Sequence, residues 1–179
     1  KNQSINRDLF DYQNKYRTLP FEFHQAYLRR QEILKIIKNI KPSFWTEVGC
    51  GMKPLFLDYQ SSNLATVIEP ADLFYTNLER LKGLNPHIKT QLLNYNIEDI
   101  NIMYHFEKSQ DLVVISALLH EVKNSNRILE SAIKLGDNKT KYIFTVPNAY
   151  SIHRQLAERL GIINSTVPQL KDSTYVVVD

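Results

Sequence analysis

Short continuous apolar runs alternate along this chain with segments whose apolar residues recur every three or four positions. Phe44–Val48, Leu64–Ile68, Asp111–Ile115 and Tyr142–Val146 are runs of the first kind, the pattern of strands buried on both faces of a parallel sheet. Thr90–Tyr95 is a weaker strand, third in chain order. Between the strands, Ala71–Leu81 places Leu73, Phe74, Leu78 and Leu81 on one side, and Ser125–Leu135 does the same with Ile128, Leu129, Ala132 and Ile133. Both spacings predict helices. Gly83 and Pro86 punctuate the first, and Gly136 is expected to cap the second. Ser151–Leu160 predicts a further helix capped at Gly161. Ahead of the first strand, Pro20 opens a long helix with Phe23, Tyr27, Leu34, Ile37 and Ile40 near one face, and Pro42 ends it. The aromatic and polar stretch Asp8–Leu19 is expected to form a short helix, and Tyr175–Val178 a sixth strand.

Strands alternating with helices define an α/β fold, a mostly parallel sheet with helices on both faces. The 179 residues suit a single domain. We divide it into an N-terminal helical segment, 1–41, packed on the core or over its ligand, and a sheet core, 42–179. Sheets of this kind bind ligands at the carboxyl ends of their strands, where the strand order reverses. Each polar or glycine-bearing cluster lies at such an end: Glu47–Gly51, Glu69, Asn96–Asp99, Ser116–Glu121 and Pro147–Asn148.

Gly49 and Gly51 follow the first strand, where glycine lets the backbone turn sharply and lets a ligand lie against main-chain atoms. A pyrophosphate cradle wants a third glycine three positions on, and that position is Pro54. A nicotinamide-dependent oxidoreductase is therefore disfavoured. Glu69 closes the second strand, 18 residues after Gly51, where an acid can accept two hydrogen bonds from a ribose diol. A loop that turns without cradling phosphate, opposite a diol-binding acid, fits a ribose-bearing ligand that has no phosphate.

These segments resemble the class I S-adenosylmethionine (SAM)-dependent methyltransferases over about residues 10–165. Glu47-Val48-Gly49-Cys50-Gly51 resembles the family's first motif, whose acid and glycines hold the methionine part of SAM. Val67-Ile68-Glu69-Pro70 resembles its ribose-gripping second strand, and Asn96-Ile97-Glu98-Asp99 its adenine-contacting turn, with Asn96 where aspartate is commoner. Ser116-Ala117-Leu118-Leu119-His120-Glu121-Val122 and Pro147–Arg154 resemble one subgroup's segments after the fourth and fifth strands, and Leu19–Glu22 its entry to the long helix. That subgroup often accompanies bacterial surface-glycan or small-metabolite pathways. The resemblance implies a Rossmann-like fold closed by an antiparallel strand pair, of which this chain is expected to hold at most one strand.

The resemblance implies a SAM site of Glu47, Gly49, Cys50, Gly51, Glu69, Pro70, Asn96, Ile97, Glu98, Ser116 and Leu118. An amine or hydroxyl acceptor must also lose a proton, and His120, just past the fourth strand, is the expected base, with His153 as a second candidate. Glu121 can orient His120, Arg154 can hold an anionic group, and Asn148 borders the acceptor space. Tyr12 and Tyr16 can close over SAM or pack on the core. Cys50, the lone cysteine, can form no internal disulfide, no Cys/His set has zinc spacing, and no apolar run is long enough to span a bilayer. A cytoplasmic setting is expected. The net charge of +3 comes partly from Arg29, Arg30, Lys35, Lys38 and Lys41 on the long helix, a pattern we read as a solvated face rather than a nucleic-acid footprint. The expected function is methyl transfer to oxygen or nitrogen of a small molecule, such as a sugar or nucleotide-linked sugar. The alternatives are a non-catalytic subunit that scaffolds a partner and an RNA methyltransferase.

Overall fold

The computed structural model describes residues 20–98, 104–122, 124–148, 150–162 and 164–165, apart from the side chains at 20–23, 73 and 153. The expected short helix at Asp8–Leu19 and strand at Tyr175–Val178 lie outside the described residues.

Five strands, β1 (Phe44–Val48), β2 (Leu64–Ile68), β3 (Thr90–Leu93), β4 (Leu112–Ser116) and β5 (Lys141–Thr145), form one sheet in the order β3-β2-β1-β4-β5. Every neighbouring pair is parallel. The helices are α1 (Pro20–Ile40), α2 (Asp72–Leu84), α3 (Ser125–Lys134) and α4 (Ile152–Arg159). Chain order reverses between β1 and β4, where Val48 pairs with Ile115 on one side and Ile68 on the other. The loops leaving β1, β2 and β4 therefore converge there.

Side chains alternate across the sheet, and each face has its own core. On one face Trp45, Ala65, Val67, Leu112 and Val114 pack with Ile33, Leu34 and Ile37 of α1, Leu78 of α2, and Leu55 and Phe56. On the other, Val48, Ile68, Leu93, Val113 and Ile115 pack with Ile128 and Ala132 of α3. Glu47 shares its face with Trp45 and α1, two positions along the strand. Asn124 caps α3 by accepting the Arg127 N–H at 3.2 Å.

Three local expectations change. Tyr27 is exposed, because the inward stripe of α1 begins at Arg30 and continues through Ile33, Leu34 and Ile37, while the first turns of this 21-residue helix carry exposed Tyr27 and Leu28. Ile133 is also exposed; Ser131 and Ala132 turn inward in its place, small residues that let α3 lie close to the sheet. Gly136 does not cap α3 in a left-handed conformation. It is needed for close approach instead, since a Cβ there would collide with the Thr140 side chain and the Tyr142 hydroxyl.

Candidate functional site

The loop leaving β1 is held by buried polar groups. Gly49 (φ 69°) and Gly51 (φ 60°) both adopt the left-handed conformation, which a side chain would oppose by about 1–2 kcal/mol each. The two differ in surroundings. A Cβ on Gly49 would meet Leu118 at 2.8 Å, so that glycine lets the loops after β1 and β4 touch. A Cβ on Gly51 would meet nothing within 4 Å. The room anticipated at this loop is thus at Gly51.

Glu69 ends β2 and points into this loop. One carboxyl oxygen accepts the Ala71 N–H at 3.2 Å, and the other accepts the Gly51 N–H at 3.2 Å and faces the Cys50 thiol at 3.9 Å. Burial pushes its pKa up to about 7, against the lowering effect of those donors. Pro70 follows it, half-buried, on the way into α2. Glu47 is likewise buried, and accepts the Leu55 N–H at 2.7 Å. Burial raises its pKa to about 7 as well; the Leu55 N–H and Arg30 oppose the rise, and Glu69 adds to it. Cys50 is held as a neutral thiol, its pKa pushed well above the usual value first by burial and then by the two glutamates. It acts here as a small, weak donor, not a nucleophile.

Beyond β3, the Asn96 side chain accepts the Glu98 N–H at 3.1 Å, folding an Asx turn that buries Ile97 against the second core. Asp99 lies outside the described residues. Beyond β4, the Ser116 hydroxyl meets that of Thr145 at 2.9 Å, and the Ala117 N–H donates to both the carbonyl (2.9 Å) and hydroxyl (3.0 Å) of Thr145. These bonds hold Ala117 at φ 54°, an unfavourable conformation for alanine. The resulting turn carries Leu118 onto Gly49 and leads directly into His120. His120 Nε2 lies 3.5 Å from Glu121 Oε1. Its pKa is lowered, by burial first and then by the Arg29 cation, so the imidazole is neutral at pH 7 and can accept a proton.

Beyond β5, Asn148 is exposed and its side chain accepts the Tyr150 N–H at 2.9 Å. Arg154 is half-buried on α4. His153 is on α4 too, but its side chain, like Tyr12 and Tyr16, lies outside the described residues. The structure thus gathers the loops bearing Glu47, Gly49, Cys50, Gly51, Glu69 and Leu118 at the switch point. Among the described residues no His/Cys/Asp/Glu cluster could hold a metal ion, and no helix is long and apolar enough to cross a membrane.

Several supporting residues escape the sequence reading. Arg30 is 9% exposed rather than solvated. It donates to the carbonyls of Lys53 and Pro54 at 2.6 Å each and to Asp58 at 2.7 Å. Its signal was its spacing: Arg30 precedes Ile33, Leu34 and Ile37 by three, four and seven residues, and a cation on a buried stripe needs partners. Arg29, whose charge acts on His120, and Thr145, which bonds Ala117, carry no comparable signal.

No family model matches the sequence, and no curated protein does. Solved structures do match in fold. The plantazolicin methyltransferase BamL, in complex with a triazolic desmethylPZN analog and SAH, is 18% identical over 86% of this chain and 57% of its own, with a TM-score of 0.61. An S-adenosylmethionine-dependent methyltransferase from Clostridium acetobutylicum is 13% identical over 82% of this chain and 61% of its own (TM-score 0.57). The N-methyltransferase NodS from Bradyrhizobium japonicum is 14% identical over 76% of this chain and 73% of its own (TM-score 0.56). The chain spans about three-fifths of the length of the first two. It has the Rossmann-like fold of SAM-dependent methyltransferases.

Proposed function

We propose that this protein is a SAM-dependent methyltransferase acting on oxygen or nitrogen of a small molecule, a sugar or nucleotide-linked sugar being the acceptor class we favour. One observation carries the reading. A buried carboxyl, Glu69, faces a left-handed glycine loop that leaves open space at Gly51, at the point where the strand order reverses. The residues fit the cofactor. A ribose diol entering past Gly51 would donate to Glu69, adenine would lie along Asn96, Ile97 and Glu98, and the methionine part would follow Glu47, Gly49 and Cys50 toward Ser116 and Leu118. Pro70 would turn the chain away from the ribose.

When bound, SAM supplies an electrophilic methyl group on a sulfonium. The chain's own part is to hold the acceptor in line and to move a proton. Neutral His120 accepts the proton lost by the acceptor's hydroxyl or amine, and Glu121 stabilises the imidazolium that results. Holding the nucleophile aligned can supply much of the remaining acceleration. We assign Asn148, Arg154 and His153 to the acceptor side and Tyr12 and Tyr16 to the cover over the cofactor. The free thiol of Cys50 agrees with action in a reducing cytoplasm.

Calorimetric titration with S-adenosylhomocysteine (SAH), the demethylated product of SAM, tests this. Wild type is expected to bind one equivalent, and Glu69→Ala to bind at least tenfold more weakly. Absence of binding by folded wild type, or equal binding by the variant, overturns it.

A second reading, a non-catalytic scaffold, is favoured by Ile152, Leu156 and Leu160, exposed at four-residue intervals along and just beyond α4. Methyl transfer to any acceptor that is lost in Gly49→Arg excludes it. Nucleic-acid binding is less supported: of the cations on α1, Arg30 is buried and Lys35 is paired with Glu32 at 2.6 Å.

A further inference from the structure

The glycine loop is fastened from outside its own strand. Glu47 anchors Leu55 from beneath, and Arg30 reaches from α1 to Lys53, Pro54 and Asp58. These contacts bracket the segment that follows Gly51, where the described chain has only the short 3-10 turn Leu55–Leu57. A three-residue turn supplies little rigidity of its own, so the side chains must fix the path of residues 51–58. A guanidinium is well shaped for this, because its fixed fork directs donors to two carbonyls and a carboxylate at once.

We infer that Arg30 is a positioning residue for the cofactor site, clamping Lys53–Asp58 to α1 so that the Gly51 N–H stays turned toward Glu69 and the space beside Gly51 stays open. The inference rests on the reading of this loop as the SAM site. It also makes α1 part of that site, since the helix that holds the loop through Arg30 is the one that packs beneath β1 and Glu47.

Amide hydrogen exchange on the full chain, read alongside SAH titration, tests the clamp with and without ligand. In wild type the Gly51 and Leu55 amides should be protected by Glu69 and Glu47. Arg30→Met should raise exchange at both by tenfold or more while the β4 amides Val113–Ile115 stay unchanged, and SAH affinity should fall about tenfold. Arg30→Lys, which keeps the charge without the fork, should recover part of both losses. A rise spread equally over loop and β4 would make Arg30 only a fold brace, and unchanged loop exchange with unchanged affinity would remove its role; either result overturns the inference. Should Arg30→Met not fold, Asp58→Ala decides: a threefold rise confined to the loop supports the clamp, and no rise overturns it. Failure of wild type to bind SAH, with the loop effect intact, would instead strike the cofactor reading and leave a clamp on a loop of other purpose, so the two failures are separable.

Discussion

The two sides of the switch point are built differently. On the β1–β2 side, the glycine loop is held by buried groups, with Glu47, Glu69 and Arg30 all bonded to its main chain. On the β4–β5 side, half-buried Thr145 bonds the first turn; past it the described surface opens through exposed Val146, Asn148 and Tyr150 to Ile152, which is 86% exposed. The strands match their loops: β1, β2 and β4 are each buried at four of five positions, whereas β5 has none buried. On the proposed reading, the sheet keeps a main-chain-defined site for the cofactor beside a side-chain-defined surface for the acceptor.

The comparison breaks most sharply at His120, where the sides meet. His120→Ala should lower methyl transfer by about 10²–10⁴-fold and leave SAH affinity unchanged, measured by single-turnover assay and titration. Equal loss of binding would move His120 to the cofactor side. Next is Gly49→Val. A β-branched residue at φ 69° with Leu118 already at 2.8 Å should cost about 2–5 kcal/mol by denaturant melts and abolish SAH binding.

The pH response should separate the two sides more gently. Glu47 and Glu69 have folded pKa values raised to about 7 by burial. Their protonated forms are therefore favoured on folding. The stability they contribute is fully present below the unfolded pKa near 4.5 and is lost as pH rises through 7. The melting temperature of the ligand-free protein should fall between pH 5 and pH 8, through a change of about 3 kcal/mol per carboxyl at most, and Glu69→Gln should flatten that profile. SAH affinity should run the other way, rising over the same range, because ionised Glu69 is the better acceptor for a diol. The smallest effect belongs to the open edge. Phe144→Ser, at a side chain 42% exposed, should change stability by less than about 1 kcal/mol.

The same contrast explains what could be read from the chain alone. The five strands were legible within a residue or two; β1, β2 and β4 stood out because strands covered on both faces must be continuously apolar, as in Leu112–Ile115. Glu69 was legible because strand ends collect at one edge and a carboxyl there is conspicuous. Arg30 was legible only as a cation on the buried stripe, and not in its role, since its partners lie more than twenty residues away. Nor was the unequal use of the two glycines: whether Leu118 or open space faces each depends on a turn nearly seventy residues downstream. Tyr27 went astray because periodicity marks a face but not how far along the helix the core extends, and Ile133 because the small residues Ser131 and Ala132 take the inward face in its place.

The proposed cofactor site requires Glu69 to meet a ribose diol beside Gly51. Titrating wild type and Glu69→Gln with SAH and with its 2′-deoxy analogue addresses this directly. The predicted result is non-additive: loss of the 2′-hydroxyl weakens wild type tenfold or more and leaves the variant almost unaffected. Equal loss in both proteins would mean that Glu69 and the ribose do not touch, and would contradict the proposed site.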